Sequence, residues 1–479
     1  MSRYTADQRY IVAAVYVAAM LMNTLDSTIV NVALATLGRE FDVPPVTTEA
    51  VVVGYLVSLA VFIPASGWLG DRFGTKRVFL SALAVFVIAS ALCGLAQSLE
   101  QLVAFRVLQG AGGGMLTPVG MAMLFRTFPP RERIAVSRIL IFATIIGPAS
   151  GPIVGGLLIE HLSWRWAFYV NVPVGVIAFL IGLFFLHEHR EPDPGGFDLP
   201  GFALGGIGLA TAMFALSEGP GRGWDDLAIR ASGMVGIVTL VVFVFHELRI
   251  SDPMVDLRLL GNHLFRSTQL VSFFGAAAFV GILFLIPLFL QTLRGFSPLN
   301  AGLTTFPEAI GVVTSTQIVA RLYPRVGPRR LMMFGLVVVA VSAVLIAEIG
   351  LQGNAWTMRA LMFLVGAGMA NVFIPNQAAS LATITRAQTG RATTIANVQR
   401  QLGAALGVAA LSSVLIATAA ADSGEPDMAS FRTALFVSAA LACVGAVAAL
   451  RVPDREAAET MRPHAGRQAH AQPPVAEAM

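Results

Sequence analysis

Three ionisable residues stand where hydrocarbon is the expected solvent. Asp26 lies midway along Leu25-Asp26-Ser27-Thr28-Ile29-Val30-Asn31. Arg106 opens Arg106-Val107-Leu108-Gln109-Gly110, about two turns into another apolar run, and Glu308 follows Pro307, about two turns into a third. A charge at membrane depth is costly and by default marks an ion or substrate path. A carboxyl there exchanges a proton as its surroundings change, because desolvation favours the acid and a nearby cation the carboxylate. When ionised, Asp26 can also pair with a cationic substrate. Arg106 is a permanent cation and biases any acid that shares its cavity. The plainer alternatives are an acid satisfied by a neighbouring Asn or Arg, and an arginine that packs helices through backbone carbonyls. Proton coupling is assigned to Asp26, Arg106 and Glu308. For Glu308 the alternative is the lining of a wet vestibule. With Asp26, the amides of Asn23, Gln109, Asn376 and Gln399 are the expected lining of a substrate cavity.

The elements that must hold these groups are membrane helices. The chain of 479 residues is 56% hydrophobic and 13% charged, well below the ~25% charge of soluble domains. About 20 apolar residues cross a bilayer. Fourteen such runs fall between residues 10 and 451, the seventh and eighth at roughly 199–217 and 231–248. With the N-terminus placed in the cytoplasm, inner loops carry roughly three times as many Lys and Arg as outer loops, as the positive-inside rule requires. Both termini are then cytoplasmic. The run from Ile11 to Leu37 is too long for a signal peptide and is read as an uncleaved first helix. Cys93 and Cys443 lie in apolar runs without metal-ligand spacing and read as buried thiols. No metal site is expected, and His187-Glu188-His189 reads as a solvated face.

Glycines punctuate the pattern. Gly67-Trp68-Leu69-Gly70-Asp71-Arg72-Phe73-Gly74-Thr75-Lys76-Arg77 separates two helices with a short charged reversal. Gly70 and Gly74 are the residues that permit it. Asp71 can accept bonds from free N–H groups at a helix N-terminus such as that near Gly390. Residues 320–330 repeat the string at an offset of 253, Gly74 falling on Gly327 and Arg72 on Arg325, with Pro324 where the acid stood. In Gly147-Pro148-Ala149-Ser150-Gly151-Pro152-Ile153-Val154-Gly155-Gly156, Gly147, Gly151 and Gly155 form one flat face for close helix approach. Pro148 and Pro152 bend that helix. A rocking interface is the expected use, an immobile tight contact the alternative. Gly110, Gly112, Gly113 and Gly114 lack the Lys-Ser/Thr ending of a phosphate loop, so no ATP site is expected.

Taken together, these strings resemble the major facilitator superfamily, in particular its fourteen-helix drug:proton antiporter branch (EmrB/QacA-like). Gly67–Arg77 is similar to the loop 2–3 signature, residues 25–34 to the first-helix signature, Arg106–Gly110 to the fourth-helix proton motif, and Gly147–Gly156 to the antiporter motif. Trp164–Pro173, Phe197–Gly201, Ser297–Leu303 and Asn397–Gly403 resemble the same branch. The resemblance implies an all-α polytopic membrane protein: two six-helix bundles, at 1–190 and 261–452, two linker helices at 191–260, and a disordered tail at 453–479. It implies that loop 67–77, through Gly67, Gly70, Asp71, Arg72, Gly74, Lys76 and Arg77, braces the two halves. It further implies a proton-driven exporter of small amphipathic or cationic compounds in the inner (plasma) membrane. A dedicated exporter of one endogenous metabolite or antibiotic is the alternative. A non-transporting sensor would have no need of intramembrane ions. The expected partners are the small-molecule substrate, protons and lipid. No cofactor, nucleic acid or ATP is expected, and the chain is expected to be monomeric.

Overall fold

The computed structural model describes residues 6–128, 147, 150–191, 195–350, 353–385, 388–419 and 426–461. Every long element is a helix, because each apolar run must satisfy its own backbone in lipid. In order they are α1 (Ala6–Glu40), α2 (Glu49–Phe73), α3 (Thr75–Leu95), α4 (Leu99–Thr127), α5 (described over 150–161), α6 (Asn171–Phe185), α7 (Leu199–Arg222) and α8 (Leu227–Arg249). There follow α9 (His263–Thr292), α10 (Pro307–Val326), α11 (Pro328–Leu345), α12 (Ala355–Ala379), α13 (Thr389–Ala417) and α14 (Met428–Ala449). Eleven of the described helices are long and apolar enough to cross a membrane. The apolar stretch after α9 breaks at Phe306 into a short helix, Pro298–Thr305, and α10.

Helix ends follow the local chemistry. Ser98, Asn262, Asn354 and Asp427 each accept a backbone N–H at the start of α4, α9, α12 and α14. Asp198 starts α7 by accepting Gly201 N–H at 2.9 Å, and His246 Nε2 of α8 lies 2.7 Å away. Burial works against the Asp198 charge, but the His246 and Gly201 bonds outweigh it and hold the carboxyl below its usual pKa. The unfolded chain therefore binds that proton more readily. The stabilisation is present above the unfolded value of about 3.9 and is lost as pH falls through the lower folded value. Asp198→Ala is expected to cost about 1 kcal/mol at neutral pH. The gap between its melting temperature and that of the wild type should narrow below about pH 4.

Packing sorts the helices. α1, α3, α4 and α6 enclose one core, with α2 laid along α4. α9 and α11–α14 form a second, with α10 on α12. The α7–α8 hairpin lies against α2 and α13. Gly74 and Gly327 both take positive φ, 102° and 84°, so the weak repeat in sequence is a repeat in backbone. Gly70 is not part of the reversal: it lies within α2, and a Cβ there would meet Val119 of α4 and Thr75 at an ordinary 3.7 Å.

After each group of six helices the chain returns an acid to the start of that group's third helix. Glu188 accepts the N–H groups of Lys76 (2.9 Å) and Arg77 (3.2 Å). Asp454 accepts that of Arg329 (2.9 Å). Residues 187–189 are exposed, as expected, and Glu188 is also a cap, because the N-terminal N–H groups of α3 have no partner within their own helix. The chain also stays ordered past residue 453: Val452 and Ala457 are buried and Ala458–Met461 is helical. Of the expected tail, residues 462–479 lie outside the described residues. Cys93 is buried, but Cys443 is exposed on the outer face of α14.

The two helix groups are tied together at one end. There Gln291 donates to the Val32 carbonyl (2.9 Å), Ser412 to the Val46 carbonyl (3.4 Å), and Leu299 N–H to Glu160 Oε2 (3.0 Å). Among the described residues, no hydrogen bond joins α1–α6 to α9–α14 at the opposite end, which carries Asp71, Gly327 and the last turn Ala458–Met461.

Candidate functional site

Asp26 is the centre of a closed polar network at mid-depth. It is 0% exposed and accepts three side-chain bonds: Arg106 Nη1 at 2.5 Å, Gln109 Nε2 at 2.9 Å and Asn171 Nδ2 at 2.8 Å. Ser90 Oγ takes the second N–H of Gln109 and of Asn171, both at 3.1 Å, and donates to the Phe168 carbonyl at 2.9 Å. Four helices contribute, α1 (Asp26), α3 (Ser90), α4 (Arg106, Gln109) and α6 (Asn171).

Arg106 is 1% exposed and bonded through both Nε and Nη1. Its Nε donates to the Val51 carbonyl (3.2 Å), its Nη1 also reaches Gln109 Oε1 (2.7 Å), and its guanidinium lies 4.0 Å over the Tyr55 ring. A buried arginine is tolerated when its planar fork finds this many acceptors and an aromatic face. Tyr55 OH in turn donates to Asn23 Oδ1, linking α2 to α1.

This geometry changes the expected picture in several places. Asp26 and Gln109 do not line an open cavity here, because their polar atoms are consumed by Arg106, Asn171 and Ser90 and sealed between helices. Asn23 is half-buried beside them. Glu308 is buried in the first turn of α10, whose backbone rests on Gly366 of α12. Among the described residues, no hydrogen bond or ion pair joins it to the Asp26 network. Asn376 and Gln399 sit half-buried on α12 and α13, each with a buried amide oxygen that has no partner.

The glycine face of α5 meets α1 rather than the other helix group. Side chains at Gly147 and Gly151 would strike Thr24 Oγ1 and Thr28 Oγ1, and one at Gly155 would meet Ile29 Cγ1 at 2.7 Å. The contact with the second group is made instead by Gly156, against Leu299, and by the Pro152 carbonyl, against Gly302. Pro148 lies outside the described residues.

Loop 67–77 is braced from its own side. Asp71 pairs with Arg126 (3.4 Å), not with the start of α13, and its carbonyl accepts Glu191 N–H (3.1 Å). The Arg72 carbonyl accepts Arg190 Nε, and Lys76 Nζ reaches the Leu183 carbonyl (2.8 Å). Arg77 lies 3.7 Å from Glu188. Gly67 has open space around it.

Four polar residues were not singled out from the sequence. Ser90 and Asn171 complete the Asp26 network; only Asn171, as a polar residue opening an apolar run, carries any signal. Glu49, the first residue of α2, is buried, and one of its oxygens accepts Ser217 Oγ of α7 while the other has no partner. Gln269 of α9 is buried with both amide atoms unpaired.

A bundle of membrane-crossing helices with an ion pair sealed at mid-depth is the build of a transporter, not of an enzyme. The sequence comparisons agree. The chain matches the Major Facilitator Superfamily over residues 16–408 and 325–476, and it belongs to that family. It is 34% identical over 413 residues to MdtD of Pectobacterium carotovorum subsp. carotovorum, which covers 85% of this chain and 88% of the relative. It is 32% identical over 408 residues to the "Multidrug resistance protein B homolog" of Mycobacterium tuberculosis, covering 84% and 75%. In fold it is similar to the POT family transporter PepTSo, with a TM-score of 0.69 at 16% identity over 94% of this chain and 98% of that one.

Proposed function

We propose that the protein is a proton-coupled antiporter of the fourteen-helix branch that expels small amphipathic or cationic compounds by alternating access. The observation that carries this reading is the buried Asp26–Arg106 pair held by Gln109, Asn171 and Ser90. Residues 1–190 and 261–452 act as the two bundles, and 191–260 as a hairpin between them. Loop charge favours an inner-membrane orientation with both termini cytoplasmic. The ties confined to one end fit a conformation open to the cytoplasm.

Cargo enters from the cytoplasm and the bundles rock about it. A proton arriving from outside adds to Asp26 and displaces the Arg106 Nη1 bond. Arg106 then keeps Val51 and Gln109 as acceptors, and the contact between α1 and α4 loosens. Cargo leaves, the bundles return, and proton loss to the cytoplasm restores the pair. One inward charge gains about 2.3 kcal/mol per 100 mV. The name of the Mycobacterium tuberculosis relative supports drugs as cargo.

Inverted vesicles with an imposed pH gradient test this directly. Dye or drug uptake should follow the gradient and stop when pH difference and voltage are both collapsed. Uptake indifferent to that collapse sinks the proposal.

A further inference from the structure

The space between the two helix groups has a polar layer on the side of α9–α14. Two packing ladders define its level. On α13, Gly403 packs on the Phe273 carbonyl of α9 and Gly407 on Ala277. One turn further toward the Asp71 end therefore sets residues 399–400 beside Gln269. On α12, Met369 and Val372 pack on Gly275 of α9 at 3.3 and 3.5 Å from where its Cβ would be. One turn beyond Val372 on the same face is Asn376, which approaches α9 at the same level. Gln269, Asn376 and Arg400 thus share one layer on three neighbouring helices.

The direction of Arg400 follows from α13's other contacts. Gly403 and Gly407 face α9, while Ser412, on the far side, bonds the Val46 carbonyl in front of α2. At about 100° per residue, Asn397, Arg400, Ala404 and Val408 fall on the arc between those contacts. That arc looks into the space between the groups. Exposure along it peaks at Arg400: Val408 is 0% exposed, Ala404 3%, Asn397 half-buried, and Arg400 exposed.

The layer is unsatisfied. Gln269 is 1% exposed with neither amide atom bonded, and Asn376 Oδ1 has no partner. A buried amide group left unbonded keeps its full desolvation cost, so such groups in a folded protein normally have a partner. The bond recorded for Arg400 is to Asn397 Oδ1 (3.3 Å), and among the described residues no carboxylate pairs with it. An arginine at this depth without a counter-ion, next to the unbonded Gln269 Nε2, is a receptor for a negatively charged oxygen, while Gln269 Oε1 and Asn376 Oδ1 are left to accept N–H groups.

We propose that Arg400 and Gln269 Nε2 form a binding subsite for a carboxylate of the cargo, and that Asn376 Oδ1 beside them accepts an N–H of its cationic group. The protein then favours zwitterionic amphiphiles over lipophilic cations that lack such a group. This rests on the efflux reading above and specifies its substrate class.

The test compares two probes in inverted vesicles: norfloxacin, a zwitterion with a carboxylate, and ethidium, a cation without one. The wild type should transport both, with the lower KM for norfloxacin. Arg400→Gln should raise the norfloxacin KM about tenfold or more, the equivalent of losing one charge-assisted bond. The ethidium KM should stay within twofold and kcat should be unchanged. Gln269→Leu removes the unpaired amide at similar volume and should act in the same direction. Arg400→Lys should restore most of the difference, which a merely structural role would not predict. Wild-type transport of ethidium alone, or equal effects of Arg400→Gln on both probes, overturns the subsite and leaves the efflux reading standing. Transport of neither probe overturns both.

Discussion

Asp26→Asn is expected to bring gradient-driven efflux down to the level of vesicles without the protein, while the chain still inserts and folds. The carboxylate accepts three N–H donors, from Arg106, Gln109 and Asn171. An asparagine offers one oxygen and turns its own NH2 toward at least one of them. It also leaves the Arg106 charge uncompensated in a sealed site. Breaking a buried pair by removing one partner costs about 3–5 kcal/mol. Here the Val51 carbonyl, Gln109 Oε1 and the Tyr55 ring retain part of the guanidinium's environment, so a loss near the low end is expected. Asp26→Asn with Arg106→Gln should recover most of that stability, because the orphan charge goes too. It should not recover transport, since no amide takes a proton in the physiological range. Thermal melting in detergent and quenching of a pH-sensitive dye on substrate addition separate the two effects. Gradient-dependent efflux by the single variant above a tenth of the wild-type rate would remove Asp26 as the proton carrier.

The charged half of this network was legible because Asp and Arg are rare in apolar runs and therefore visible there. Its uncharged half was not. Ser90 and Asn171 are residues of a kind that apolar helices carry routinely, and nothing in one sequence says which rotation turns them toward Asp26. The same ignorance of rotation misplaced Asp26 and Gln109 on an open cavity wall. On α5 the four-residue glycine spacing correctly announced a close helix contact, but a small-residue face specifies approach and not partner. Its partner is Thr24 and Thr28 of α1, and the contact between groups fell to the neighbouring Gly156 and Pro152. The run at 187–189 is exposed, as its charge suggests, but Glu188 lies more than a hundred residues from the N–H groups it caps, so the capping was not legible. Glu49 was missed because an acid at the head of an apolar run reads as a favourable helix start, and only packing against Ser217 of α7 shows it to be buried. The helix number, the reversal at Gly74 and its repeat at Gly327 were legible because they depend on run length and local backbone chemistry alone.

Gly302→Val is expected to hold the protein open at the end now closed and to abolish transport without unfolding it. At that end the short helix Pro298–Thr305 lies directly on α5. The Gly302 Cα faces the Pro152 carbonyl, and the Leu299 backbone comes within 2.6 Å of the position a Cβ on Gly156 would take. Both partners are backbone, so no rotamer change makes room for a valine. Overpacking of this kind costs about 1–3 kcal/mol. The strain is relieved if the two helix groups separate, because the contact then no longer exists. Since 1.4 kcal/mol is a tenfold change in a population, the closed-to-open ratio should fall by about five- to more than a hundredfold. The reporter is Val32→Cys in a Cys93→Ala, Cys443→Ser background. Val32 is 0% exposed, and its carbonyl holds Gln291 across the closed end. Labelling by a membrane-impermeant maleimide applied from that side should rise about tenfold or more with Gly302→Val. Gly261→Ala, where a Cβ meets nothing, should leave it unchanged. A carrier that cannot close this end cannot reopen the other, so efflux should fall as labelling rises. Unchanged labelling together with intact efflux would mean that the contact between α5 and residues 298–305 is not the gate, and that the ties at Val32 and Val46 hold the end shut without it.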